Sequence, residues 1–266
     1  MVATPIGNLG DVTARALEVL KGVDWIAAED TRHTQRLLAH FGIQAPLFSA
    51  HAHNERARAE EIVARLKTGT SGALVVDAGS PGVSDPGALV VQAVIAAGLG
   101  LRVVPGPSAA IAALSLSGFD TAVFTFAGFL PVKAGARDLR LAELLARPET
   151  VVLYEAPHRA RATLAAVAKL APERRVAACR ELTKLHEEVR RGTASEVLAG
   201  LTEEQERGEW ALVIEGAPRK PADVEDDDAA RRKFVDALVA TGASQEDAEK
   251  RATFVLGAKA RRRKKA

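Results

Sequence analysis

The stretch ALVVDAGSPGVSDPGALVVQAVIAAGLGLRVVP, Ala73 to Pro105, decides the fold. ALVVD, Ala73 to Asp77, is a short apolar run that reads as a buried parallel strand. GALVVQAVIAAGL, Gly87 to Leu99, is long enough for a helix, and LRVVP, Leu101 to Pro105, reads as a second strand. Together they form a βαβ unit, and in open parallel sheets ligands sit beyond the carboxyl ends of the strands. The loop at that end, DAGSPGVSDPG, contains no lysine, arginine, histidine or cysteine. Gly79 and Gly82 let the main chain approach a ligand, Pro81 and Pro86 stiffen the turn, and the serines and aspartates offer acceptors to hydroxyls or a cation. The competing reading is a proline-stiffened turn in which Asp85 only caps the following helix.

Outward from this unit the alternation continues. DVTARALEVLKG reads as a helix capped at Asp11 and stopped at Gly22, VDWIAA as a strand, and TRHTQRLLAHFG as a helix opening after Asp30. Asn54 is expected to cap ERARAEEIVARLKTG, and SAAIAALSLSG is a helix closed by Gly118. Residues 1–118 are therefore expected to form an α/β domain on a parallel sheet. Downstream, FTFAGFLP reads as an apolar connection, RDLRLAELLA and HRARATLAAVAKLA as helices, and TVVLYEA, RRVAACREL, EVRRGT and GEWALVIEG as strands. That pattern predicts a second, mixed-sheet α/β domain over 119–217. The remainder, 218–266, reads as a linker, PRKPADVEDDD, followed by a helical hairpin and a basic tail.

Composition narrows the class. At 266 residues and 47% hydrophobic content the chain can bury a substantial core. Cys179 is the single cysteine, so no internal disulfide forms, and no apolar run approaches the roughly eighteen residues of a spanning helix. A cytoplasmic protein without membrane contact is expected. The net charge is +2, but Lys259, Arg261, Arg262, Arg263, Lys264 and Lys265 crowd the tail, and the rest of the chain is net negative. Such a cluster is a footprint for a polyanion such as nucleic acid, or a solubilising tail.

Several motifs are excluded or incomplete. Neither GxxxxGK[ST] nor GxGxxG is present, which weighs against nucleoside triphosphate and dinucleotide sites. Gly106-Pro107-Ser108-Ala109-Ala110 places a serine at a strand-to-helix turn, yet alanine stands where a nucleophile elbow has its second glycine. KTGT, Lys67 to Thr70, has no SxxK partner, and His51 and His53 lack the spacing of a metal site, so no metal is expected. Charges gather where strands end: Glu29, Asp30 and Arg32; Glu155, His158 and Arg159; Arg180, Glu181, Lys184, His186 and Glu187. Unpaired burial of charge is costly, so these are either ion pairs or a polar active-site floor.

Taken in order, VATPIGNLGD, AAEDTRHTQRLL, DAGSPGVSDPG, PGPSAAIAALSLSG, GFLP, YEAPHR and CRELTKLHEE resemble the tetrapyrrole-methylase superfamily from Val2 to about Gly216. The resemblance is to its ribosomal RNA branch. It implies two α/β domains, a homodimer, and S-adenosylmethionine in the cleft between the domains. It also implies 2′-O-methylation of a cytidine in the decoding region of 16S rRNA within the small ribosomal subunit. Tetrapyrrole-specific relatives carry an acidic GDP where this chain has Gly79-Ser80-Pro81, which favours RNA over the alternative of a tetrapyrrole-like small molecule.

Carried over by motif, Pro5, Ile6, Gly79, Ser80, Val83, Ser84, Ser108, Ala109, Tyr154, Glu155 and Ala211 are expected to bind the cofactor. Methyl transfer to a ribose hydroxyl gains from a base that takes its proton, and Glu29, Asp30, Glu155, Glu181 and Lys184 are the candidates. Arg32, His158, Arg159 and Arg180, with Lys259, Arg261, Arg262 and Arg263 of the tail, are expected to contact RNA, because guanidinium forks suit phosphate oxygens.

Overall fold

The structure, a computed structural model, describes residues 1–202, 207–218 and 221–256. It divides into two compact units, Met1–Ala217 and Pro218–Ala266. The first unit opens with a 3-10 turn at Leu9–Asp11, followed by α1 (Ala14–Gly22), β1 (Trp25–Ala28), α2 (Thr31–His40), β2 (Leu47–Ser49), α3 (Glu55–Lys67), β3 (Gly72–Val75), α4 (Ala88–Ala96) and α5 (Ala109–Ser117). Its second half runs β4 (Phe124–Phe129), α6 (Ala134–Leu145), β5 (Thr150–Glu155), α7 (Pro157–Leu170), β6 (Arg175–Arg180), β7 (Glu188–Thr193), α8 (Ala194–Ala199) and β8 (Trp210–Ile214). The second unit is a helical hairpin, α9 (Pro221–Ala240) and α10 (Gln245–Leu256). Val235, Ala248 and Ala252 are buried between its helices.

The first sheet has the order β2-β1-β3 and is parallel throughout. β1 is buried along its whole length, as expected for a central strand covered on both faces. One face carries Leu20, Ile26, Leu38 and Val75; the other carries Trp25, Ile62, Val90 and Val94. The second sheet has the order β4-β5-β8-β6-β7, with β4 parallel to β5 and the other pairs antiparallel. This mixed sheet covers Leu141, Leu144, Leu153, Leu164, Leu212 and Ile214 on one face. Each such side chain contributes about 1.5–3 kcal/mol relative to exposure. Its other face receives α5, whose Ala110 and Ala113 allow close contact with Val152, Ala177, Ala211 and Val213. The architecture is the α/β one expected: a parallel sheet, a mixed sheet and a helical extension.

Several local expectations are corrected. LRVVP is not a strand: it is reduced to the single bridge between Val2 and Val104. Its partner segment, Met1–Ala3, meets it only at Arg102 and Val104. FTFAGFLP is not a connection, because Phe124–Phe129 pairs with β5 around an irregularity between Phe126 and Phe129. β2 and α8 were not anticipated. The cap of α1 is Thr13, whose side chain accepts from Ala16 N; Asp11 lies in the preceding 3-10 turn. Asn54 does stand at the start of α3, but its Oδ1 accepts from His51 N and caps nothing in the helix. The expected linker PADVEDDD is the first part of α9.

Candidate functional site

The carboxyl ends of β3 and β5, the loop 77–87, the turn before α5 and the start of β8 enclose a half-open cleft of about 500 Å³. Thr4 anchors one wall, donating Oγ1 to Val76 O (2.9 Å) and pairing its backbone with Gly79. Gly82 N donates to Pro86 O at 3.0 Å and closes the loop on itself. Gly87, at φ +141°, makes this closure possible: a Cβ there would lie 2.9 Å from Gly82 N. Ser84, Glu181 and Thr183 are the non-glycine residues with positive φ among the described residues, and they lie in the loops flanking the cleft. Strained backbone of this kind concentrates at functional sites.

Asp85 does not cap α4, contrary to the competing reading of the loop. The N-cap is Gly87, and the orphan N–H groups of Gly87 and Leu89 donate to Glu55 Oε1, at 2.7 and 2.9 Å, from α3. Asp85 instead faces the cleft, where it accepts no hydrogen bond from the described residues. Burial, reinforced by the negative charges of Glu29 and Asp77, pushes its carboxyl up to about 6. Glu29 is also pushed up, first by burial; a bond from Asp77 N (3.3 Å) opposes the shift, and the charges of Asp77 and Asp30 add to it. The first lip of the cleft thus gathers carboxylates with no cation among its lining residues.

The second lip is built differently. Glu155 is fully buried and saturated: Thr163 Oγ1 donates at 2.6 Å, Ala156 N at 3.0 Å, and Arg159 Nε lies 3.2 Å away. Arg159 also donates to Leu130 O (2.8 Å) and Pro131 O (3.1 Å). Lys184 Nζ sits 2.8 Å from Glu181 and 3.1 Å from Glu209. Burial opposes the Lys184 charge, but these carboxylates outweigh it and raise the ammonium's pKa. Burial likewise opposes ionisation of Glu181, but the bonds from Lys184 and Glu209 N prevail and lower it. Tyr154 accepts from Ala110 N at 3.0 Å and stands edge-on to Phe126 and Phe129, ring centres 5.0 and 5.8 Å away. Burial pushes its phenol up, and the bonds from Ala110 and Ser108 oppose this.

Of the residues expected to bind cofactor, Ile6, Gly79, Ser80, Val83, Ser84, Ser108, Ala109, Tyr154, Glu155 and Ala211 line this one cleft. Pro5 is buried outside the lining. Among the expected bases only Glu29 and Glu155 reach the cleft. Asp30 is held by Arg32 and caps α2, and the bonds from Arg32 keep its carboxyl well below the usual range. Glu181 and Lys184 are locked to one another outside the lining. Arg32 is exposed, His158 is exposed on the first turn of α7, and Arg180 Nε donates to Arg207 O at 2.8 Å. Arg159 is occupied inside the fold, which leaves it poorly placed for a phosphate. Lys259, Arg261, Arg262 and Arg263 lie outside the described residues.

Sequence reasoning left Asp77, Asp85, Phe129, Cys179, Leu182, Glu209 and Trp210 out of the site residues, although they line the cleft. Phe129 was missed with its strand. Cys179 is a structural thiol, pushed up to about 11 by burial above all. No group of three or more His, Cys, Asp or Glu among the described residues has the arrangement of a metal site. Nor is any helix among them long and apolar enough to cross a membrane.

The family model of the tetrapyrrole (corrin/porphyrin) methylases matches residues 1–198. A Xylella fastidiosa protein named ribosomal RNA small subunit methyltransferase I is 50% identical over 84% of this chain and 82% of its own length. A Bacillus subtilis protein of the same name is 43% identical over 95% of this chain and 87% of its own. Among solved structures, uroporphyrin-III-C-methyltransferase from Thermus thermophilus shares the fold with a TM-score of 0.57 at 24% identity, covering 80% of this chain and 91% of that one. A matching fold, relatives at this identity and the extent of the family match lead to one statement: the chain belongs to the tetrapyrrole (corrin/porphyrin) methylases.

Proposed function

We propose that this chain methylates the 2′-hydroxyl of a cytidine ribose in the decoding region of 16S rRNA, acting on the small ribosomal subunit as a homodimer. Membership of the family makes it a methyltransferase whose methyl donor is S-adenosylmethionine. The names of its relatives bring ribosomal RNA forward as the acceptor. On this reading, residues 1–118 and 119–217 act as two domains around the cleft, in the compartment where ribosomes are assembled.

The observation that carries the proposal is the asymmetry of the cleft. S-adenosylmethionine bears a sulfonium, an ammonium, a carboxylate and an adenosine, and when bound it supplies an electrophilic methyl group. Glu29, Asp77 and Asp85 offer negative charge without a competing cation in the lining, which suits the cationic groups. Ile6, Ala109, Ala211 and the Phe129 and Tyr154 rings offer apolar and aromatic walls for the nucleoside. Ser80, Ser84 and Ser108 offer hydroxyls for its polar edges.

The residues act chiefly by placement. Holding donor carbon and acceptor oxygen in line at near contact is worth several orders of magnitude in effective concentration. The stiff loop from Asp77 to Gly87 supplies that alignment from one side, and Tyr154, tied to Ala110, supplies it from the other. Arg32 and Arg180 are the positions we assign to RNA phosphates beside the cleft. The test is label transfer from radioactive S-adenosylmethionine to 30S subunits, followed by nucleoside analysis. A 2′-O-methylated cytidine is expected; label appearing only in a small-molecule acceptor would overturn the RNA reading.

A further inference from the structure

We propose that Asp85 is the group that takes the proton from the acceptor hydroxyl, a role that rests on the ribose-methylation reading above. The assignment rests on which carboxylate of the cleft is tied to no donor among the described residues. Glu155 is consumed by Thr163, Ala156 N and Arg159. Asp30 is consumed by Arg32, and Glu181 by Lys184 and the backbone of Glu209. Lys184 is held as an ammonium between two carboxylates and has no lone pair for a proton. Asp77 accepts from Asp30 N at 3.1 Å, and Glu29 accepts from Asp77 N. Asp85 alone among the cleft's loop carboxylates accepts nothing from the described residues, because Glu55 reaches across from α3 to cap the helix that Asp85 precedes.

Its surroundings suit the task. The charged and titratable groups felt at Asp85 are Glu29 and Asp77, and its own charge is felt by Tyr154 across the cleft. None is a cation. A carboxylate at about 6 is ionised at neutral pH yet more basic than an ordinary aspartate, the condition for effective base catalysis. In the step itself, the acceptor oxygen bonds to the methyl carbon as the carbon–sulfur bond breaks. The electron pair of that bond stays on sulfur, giving a neutral thioether, and the hydroxyl proton passes to an Asp85 carboxylate oxygen.

Two readouts test it: single-turnover transfer to 30S subunits across roughly pH 5 to 8, and calorimetry with two cofactor analogues. The analogues are sinefungin, which carries an amine near the methyl position, and neutral S-adenosylhomocysteine. Wild-type transfer is expected to rise along a limb near pH 6. Asp85→Asn should slow transfer by about 10²–10⁴-fold and remove the limb, while Asp85→Glu restores part of the rate and the limb. The wild-type preference for sinefungin should shrink by about tenfold in Asp85→Asn, with S-adenosylhomocysteine affinity unchanged. An Asp85→Asn protein that transfers at the wild-type rate with the limb intact overturns the base and leaves the ribosomal reading standing. A wild type that binds the analogues but never labels 30S subunits overturns that reading, and an unchanged sinefungin preference would then remove Asp85 from the reacting centre as well.

Discussion

The two lips of the cleft handle charge in opposite ways. At the carboxyl ends of β1 and β3, Glu29, Asp77 and Asp85 stand near one another without a cation in the lining, and two of them are pushed toward protonation. On the second lip the carboxylates are matched: Glu155 by Arg159 and Thr163, Glu181 and Glu209 by Lys184. Matched charge holds a scaffold in one arrangement. Unmatched charge is tolerated where something else arrives to compensate it, and a sulfonium nucleoside is such a ligand.

The contrast can be broken at its strongest point first. Glu155→Ala strands the Arg159 guanidinium, which is mostly buried, and should lower unfolding free energy by about 3–5 kcal/mol in a denaturant titration. Ser80→Arg places a cation on the open lip; it should cut S-adenosylmethionine affinity by about a hundredfold or more by calorimetry, with little change in stability. Lys184→Met leaves Glu181 and Glu209 facing each other and should cost about 1–2 kcal/mol. Because Glu181 is lowered in the fold, that loss is present above the unfolded carboxyl value and fades as the pH falls through the folded one.

Asp85→Asn has the opposite sign. A carboxyl raised in the fold binds protons more readily there than in the unfolded chain, so its ionisation erodes stability as the pH climbs from about 4 to about 6. Asparagine should therefore raise the melting temperature by about 1–2 °C at neutral pH, a gain that disappears near pH 4. A variant less stable than wild type at neutral pH would show that the first lip is matched after all.

The sequence made some of this visible and hid the rest for physical reasons. β3 and α4 were readable because a Leu-Val run and a Gly-Pro-rich break mark them locally. β2 has three residues and follows Pro46, too short to carry a period. β4 contains Gly128 and runs into Pro131, features that imitate a connection. α8 does carry a sequence signal, the Thr193-to-Glu196 spacing of a reciprocal capping box. The motif residues that line the cleft were legible, whereas the state of its acids was not. Glu55 lies thirty-two positions from the backbone N–H of Gly87 that it caps, and nothing in a local window connects them. Glu155 ends β5 and Arg159 lies in the first turn of α7, so their pairing depends on a strand-to-helix turn that the sequence did not mark as internal.

One contact across the cleft carries a further consequence. Gly128 in β4 is at φ +59°, and a Cβ there would come within 3.0 Å of Ser84 Oγ in the opposing loop. A side chain at 128 would need a left-handed backbone and a Ser84 hydroxyl turned aside, so glycine is what lets β4 lie against the loop that bears Asp85 without strain.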